Sequence, residues 1–162
     1  MRVAASIDIA ASPERIWRHV ADPERAAAFL QGITRWEVEG EQREGVGTRL
    51  RTLIRAGSAE IGGLVEIVES DPGRDLAWVS VLGIDQRGRV RLRPRSQRRT
   101  HVEMRLSYGV AGAGLFGVIA ERIGAPIVRG HLQRSVRELK RRVEHEQLVE
   151  LASRRREAAR AT

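Results

Sequence analysis

The chain has 162 residues, no cysteine and a net charge of +8, a length that suits one domain able to bury a core and to enclose a cavity. The absence of cysteine excludes disulfides and thiolate metal sites, and no apolar run approaches the ~18 residues of a membrane span. Asp8 and Glu14 interrupt the start where a secretory leader would be uniformly apolar, so a cytoplasmic protein is expected.

The charge is uneven. Residues 1–80 carry 10 Arg against 13 acids, whereas residues 81–162 carry 19 basic residues against 8 acids. The positive field therefore belongs to the second half. Lys140 is the single lysine, a skew toward arginine that fits GC-rich codon usage and carries little weight as a sign of phosphate binding.

Val3, Ala5, Ile7 and Ile9 alternate with smaller or polar residues, which predicts a half-buried first strand. Ser12-Pro13 and Asp22-Pro23 then start two short helices, each with a capping side chain followed by a proline whose missing N–H costs nothing there. Trp36-Glu37-Val38-Glu39 alternates again and ends at Gly40. After Gly45 and Gly47, one strand face carries Thr48, Leu50, Thr52 and Ile54, and the other carries Arg49, Arg51 and Arg55. A strand from Ala59 to Ile67 contains Gly62-Gly63, which predicts a bulge or bend.

Ser70-Asp71-Pro72-Gly73 marks a turn. Leu76 to Leu82 is apolar on both parities, so its inward face is left open, and Gly83 to Gly88 reads as a loop. Val90 and Leu92 alternate with Arg89, Arg91 and Arg93 before a turn at Pro94-Arg95-Ser96-Gln97. The last strand places Val102, Met104, Leu106 and Tyr108 on one face and His101, Glu103 and Arg105 on the other. Seven strands joined by short turns imply an antiparallel sheet.

The period then changes. Phe116, Ile119, Ile123, Ile127, Leu132, Val136, Leu139 and Val143 step by three to five residues, a long amphipathic helix with a kink expected at Gly124-Ala125-Pro126. A single domain over residues 1–146 is expected, with 147–162 as a polar Ala/Arg-rich helical extension or frayed tail.

This order of elements resembles the START-related (SRPBCC) superfamily, in particular its polyketide cyclase/dehydrase-like branch of small bacterial proteins. The residues that carry the resemblance are Ile7–Ile9, Ser12-Pro13-Glu14 with Ile16-Trp17, Asp22-Pro23-Glu24, Gly45–Gly47, and Leu139-Lys140-Arg141-Arg142 with Glu144. It implies an α+β helix-grip fold, a seven-stranded antiparallel sheet wrapped around the long C-terminal helix with two short helices after the first strand. It also implies an apolar cavity between sheet and helix. Fold alone assigns no ligand.

On that layout the cavity is lined by Thr48, Leu50, Thr52 and Ile54, by Val90 and Leu92, and by Val102, Met104, Leu106 and Tyr108, facing Phe116, Ile119, Ile123 and Ile127. Trp17, Phe29 and Leu30 become wall or lid residues, and Thr48, Thr52 and Tyr108 candidate orienting groups. Such a lining suits binding or transport of a hydrophobic small molecule, such as a lipid, polyketide or isoprenoid-like compound. No cofactor, metal site or catalytic residue is expected: parity brings no carboxylate inward, and His19, His101, His131 and His145 read as surface or boundary residues. Two other readings stay open. One is a polyketide aromatase/cyclase or dehydratase; the other is an interaction protein using an arginine-rich outer face built from Arg49, Arg51, Arg55, Arg89, Arg91, Arg93 and Arg105. Nucleic acid is disfavoured because no aromatic interleaves with those arginines; an anionic membrane surface and a homodimer complete the possible partners.

Overall fold

Every stretch of period-2 sequence joins a single sheet, and the period-3.6 stretches cover its inner side. A computed structural model describes residues 2–56, 58–109 and 114–160, with side-chain surroundings for these apart from 56, 59 and 114–124. The elements run β1 (Arg2–Ile9), α1 (Pro13–Val20), α2 (Pro23–Phe29), β2 (Ile33–Glu39), β3 (Arg49–Ala56), β4 (Ala59–Asp71), β5 (Asp75–Gly83), β6 (Asp85–Ser96), β7 (Arg99–Gly109) and α3 (Gly114–Arg160). The sheet order is β1-β7-β6-β5-β4-β3-β2, antiparallel at every pairing. Only β1 crosses over, leaving α1 and α2 to bridge from one edge of the sheet to the other. This is the helix-grip architecture.

The caps act as the sequence predicts. Ser12 Oγ accepts from the Arg15 N–H at 3.4 Å, and Asp22 Oδ1 accepts from the Glu24 N–H at 2.9 Å and the Arg25 N–H at 3.3 Å. Two boundaries differ from expectation. The segment Gly83 to Gly88 is no loop: β6 begins at Asp85 and pairs Gly88 with Trp78. Pro94 lies inside β6 opposite Thr100, and the register shifts between Pro94 and Ser96, where the missing N–H is tolerated. The register of β4 on β5 shifts between Leu64 and Val65, just after the Gly62-Gly63 pair.

The core lies where α3 crosses the inner face. Val136, Leu139 and Val143 pack with Ile9 of β1, Ile16 of α1, Phe29 of α2 and Val102 of β7. A polar clasp then fixes α3 to the N-terminal stretch. Glu144 accepts from the Ala10 N–H at 2.9 Å, and Lys140 Nζ donates to the Asp8 carbonyl at 2.9 Å. Further along, Arg15 pairs with Glu150 at 2.7 Å and His19 Nε2 meets Glu146 at 2.6 Å. Burial pushes the Glu144 carboxyl up, but Lys140 and the Ala10 N–H outweigh it and hold the group below its ordinary value. His19 shows the opposite balance. Its burial pushes the imidazole below the ordinary value, and Arg25 and Arg18 act the same way, against the Glu146 carboxylate. The histidine therefore faces α3 rather than a cavity mouth. The helix continues to Arg160, exposed beyond Glu150.

Two outcomes are expected. Phe29→Ala removes a side chain only 2 % exposed and should cost about 3–5 kcal/mol in chemical denaturation. His19 and His131 both have folded-state values below the ordinary imidazole value. As pH falls through the unfolded-state value of ~6.5, the unfolded chain takes up protons first. Stability should therefore be full above that value and decline below it, seen as a lower melting temperature at pH 5.5 than at 7.5. The His19→Gln, His131→Gln double variant should flatten that decline.

Candidate functional site

A seven-stranded sheet curled around one helix has inner surface that the helix does not reach. The uncovered part forms a cavity of about 60 Å³ between β2, β3, β5, β6, β7 and the first described side chains of α3, room for about four or five waters. Its walls are apolar: Leu30, Ile33, Trp36, Ile54 and Trp78 on one side, Met104, Leu106, Val128 and Leu132 on the other. A second cavity of about 30 Å³ lies toward α2, walled by Val20, Ala26, Phe29, Leu50, Ile67 and Val90 among others. Leu30, Trp36 and Trp78 line both, so these three side chains are the partition between them.

The two indoles are held differently. Trp36 Nε1 donates to the Pro23 carbonyl at 2.9 Å, which ties β2 to the start of α2. Trp78 is positioned by shape. It sits opposite Gly88, and a Cβ added there would lie 1.9 Å from Trp78 Cζ2. Only glycine leaves room for this indole to lie across β6.

Polar groups are few. Gln86 Nε2 donates to Thr52 Oγ1 at 3.2 Å, deep in the main cavity, and Thr52 Oγ1 is 3.5 Å from the Gly63 carbonyl. At the mouth, Ser135 Oγ donates to the His131 carbonyl at 2.9 Å and accepts from the Gln31 N–H at 2.8 Å. His131 lies across Gly32, whose φ of +77° and lack of a side chain admit the ring. His131 Nε2 is 3.2 Å from the Arg55 carbonyl, and Arg134 Nη2 is 2.8 Å from Nδ1. Both contacts suit a neutral ring protonated on Nε2. Burial, then the Arg134 charge, push His131 below the ordinary imidazole value despite the Arg55 carbonyl. No Asp, Glu or Lys lines either cavity among the described residues.

The structure sorts the sequence-expected lining as follows. Thr52, Ile54, Met104 and Leu106 line the main cavity and Leu50, Val90 and Phe29 the second, with Leu30 on both. Tyr108 borders a small void of about 10 Å³ with Ile54, Gln86, Leu106 and Val128. Thr48, Leu92 and Val102 are fully enclosed in the core and reach neither cavity. Thr48 Oγ1 is buried with no hydrogen-bond partner among the described residues. Trp17 borders a surface groove with Arg18, Ala21, Asp22, Arg25 and Glu44. The side chains of Phe116, Ile119 and Ile123 lie outside the described residues. Ile127 is half-buried, and its neighbour Val128 is the cavity residue.

Trp36, Trp78, Gln86, Val128, Leu132, His131 and Ser135 were not expected at the site. Gly88, a glycine inside alternating sequence, was the available signal for Trp78. On the outer face, most of the arginine row is paired: Arg49 with Glu66 at 2.8 Å, Arg51 with Glu39 at 2.6 Å and Arg91 with Asp75 at 2.9 Å across strands, and Arg105 with Glu103 at 2.8 Å along β7, while Arg93 is exposed with no ion pair among the described residues. Arg89 bridges Glu69 and Asp75, and Arg55 meets Glu60 at 3.4 Å. Charge already neutralised this way is poorly available to phosphates. No cluster of three His, Asp or Glu able to hold a metal occurs among the described residues, and no described helix is long and apolar enough to cross a membrane.

A sheet gripping one long helix, with an apolar cavity left between them, defines a protein of the START-related superfamily. The chain belongs to the family described as polyketide cyclase/dehydrase and lipid transport, whose model matches residues 1–144. It is similar in structure to a protein of Thermus thermophilus, with a TM-score of 0.76, 25% identity and coverage of 90% of this chain and 99% of that one. The ZhuI aromatase/cyclase from a Streptomyces species has a TM-score of 0.73 at 17% identity, covering 89% and 93%. A START superfamily protein of Mycobacterium smegmatis has a TM-score of 0.64 at 17% identity, covering 89% and 97%. No curated protein sequence matches the chain.

Gly88→Ala should displace the Trp78 indole, costing about 1–3 kcal/mol and changing the intrinsic tryptophan emission. Unchanged stability together with unchanged emission would contradict the packing just described.

Proposed function

We propose that this protein binds a hydrophobic small molecule, such as a lipid, polyketide or isoprenoid-like compound, in the space between the sheet and α3. The observation that carries this reading is the partition of Leu30, Trp36 and Trp78 between two apolar cavities. Pockets for drug-sized ligands run from ~300 Å³ upward, and the main cavity is about 60 Å³. A molecule of that size exceeds even the two spaces joined, so binding it requires both the partition and the surrounding apolar walls to give way, above all Trp78, whose indole N–H has no hydrogen bond among the described residues. The driving force is apolar burial, roughly 25 cal/mol per Å².

The family description also names cyclase and dehydrase activities, and such chemistry needs a positioned proton donor or acceptor. Among the described residues, the titratable side chain lining the main cavity with a pKa near neutrality is His131, held neutral and already engaged on both ring nitrogens. Binding is thus the better-supported reading.

Native mass spectrometry of the protein as purified should reveal a co-purified apolar molecule. Titration with N-phenyl-1-naphthylamine should give saturable binding at one site per chain, and Leu132→Trp, which fills the main cavity, should reduce it at least tenfold while the chain stays folded. No saturable binding to the unaltered protein would overturn the proposal.

A further inference from the structure

Gln86 is 4% exposed, yet its carboxamide makes one side-chain hydrogen bond, from Nε2 to Thr52 Oγ1 at 3.2 Å. A primary amide has two donors and an acceptor oxygen. The second Nε2 hydrogen and Oε1 have no partner among the described residues, and Gln86 lines both the main cavity and the small void beside Tyr108. Buried amides left this incomplete are uncommon, and among the described residues nothing completes this one, which leaves it open to a guest. The Thr52 hydroxyl fixes the amide's orientation: its oxygen accepts from Gln86, and its own hydrogen is directed to the Gly63 carbonyl.

We propose that the Gln86 carboxamide, held by Thr52, is the polar anchor of the cavity, and that it selects an uncharged ligand whose single polar group both donates and accepts, such as a hydroxyl or a carboxamide. This rests on the cavity-binding reading above and specifies its ligand class. A hydroxyl can donate to Oε1 and accept from Nε2–H, completing the amide. A carboxylate can accept but not donate, and its charge would enter a space whose polar lining among the described residues is neutral: Gln86, Thr52, Gln31, Ser135 and the neutral His131. Arg105, on the β7 wall, turns its guanidinium outward to Glu103 at 2.8 Å. A pure hydrocarbon would leave the amide unpaired and lose discrimination on that account.

The test uses three small probes of matched shape: 4-ethylphenol, ethylbenzene and 4-ethylbenzoate, titrated at pH 7.5 and followed by NMR through the Gln86 side-chain amide and the Trp78 indole signals. 4-Ethylphenol should bind about three- to tenfold more tightly than ethylbenzene, with 4-ethylbenzoate weakest, and it alone should shift the Gln86 amide signals strongly. In Gln86→Leu the phenol and hydrocarbon should bind within twofold of each other, with ethylbenzene binding retained. Thr52→Val, which frees the amide to turn, should shrink the phenol preference part of the way. Equal binding of phenol and hydrocarbon by the unaltered protein, or an undiminished preference in Gln86→Leu, would overturn the anchor while leaving cavity binding intact. Failure of all three probes to bind would overturn cavity binding and the anchor together. The comparison among probes on the unaltered protein needs no variant to fold.

Discussion

One helix is too narrow to cover the sheet it is gripped by. Seven strands spaced ~4.8 Å apart make a sheet roughly 29 Å across, and a helix with its side chains is about 10–12 Å in diameter. Curling narrows the gap without closing it. α1 and α2 fill part of the remainder, seating Ile16 and Phe29 against the inner face. Beside the ends of the short helices, the inward side chains of β3, β5, β6 and β7 face Val128, His131, Leu132 and Ser135 of α3 across an apolar space. The cavity follows from coverage, and its position follows from where the short helices end.

That dependence explains why the chain spends polar contacts at the opposite end of α3. Glu144, Lys140, Glu146 and Glu150 clasp the stretch from Asp8 to His19, so the C-terminal half of the helix is fixed to β1 and α1. The stretch from Val128 to Ser135 meets the cavity through apolar groups, the Gln31–Ser135–His131 chain and the His131–Arg55 contact. The same division separates two histidines, with His19 in the clasp and His131 beside the cavity.

Polar groups inside the cavity follow the economy expected of a low-dielectric space. Thr52 and Gln86 partner each other, and outward-turned arginines such as Arg49, Arg51 and Arg91 pair with carboxylates across strands. An unpaired arginine inside would be costly, and one outside would add little. Arg49, Arg51, Arg55, Arg89, Arg91 and Arg105 therefore end in ion pairs on the outer face.

Strand alternation, the two Ser/Asp-Pro caps and the shift to helical period determined the architecture from sequence alone, because backbone geometry enforces those periods wherever one face is buried. Inward parity on β3, β6 and β7 likewise identified Leu50, Thr52, Ile54, Val90, Met104 and Leu106. Parity could not tell a cavity wall from a filled core, which is why Thr48, Leu92 and Val102 share the inward face yet touch no cavity. It was also silent on β5, apolar on both sides, where Trp78 turned inward because Gly88 opposite leaves it room. On α3 the five-residue step from Ile127 to Leu132 concealed a four-residue stripe through Val128, Leu132 and Val136. Which inward residues border empty space depends on where neighbouring elements stop, and that distance exists only once sheet, short helices and long helix have come together.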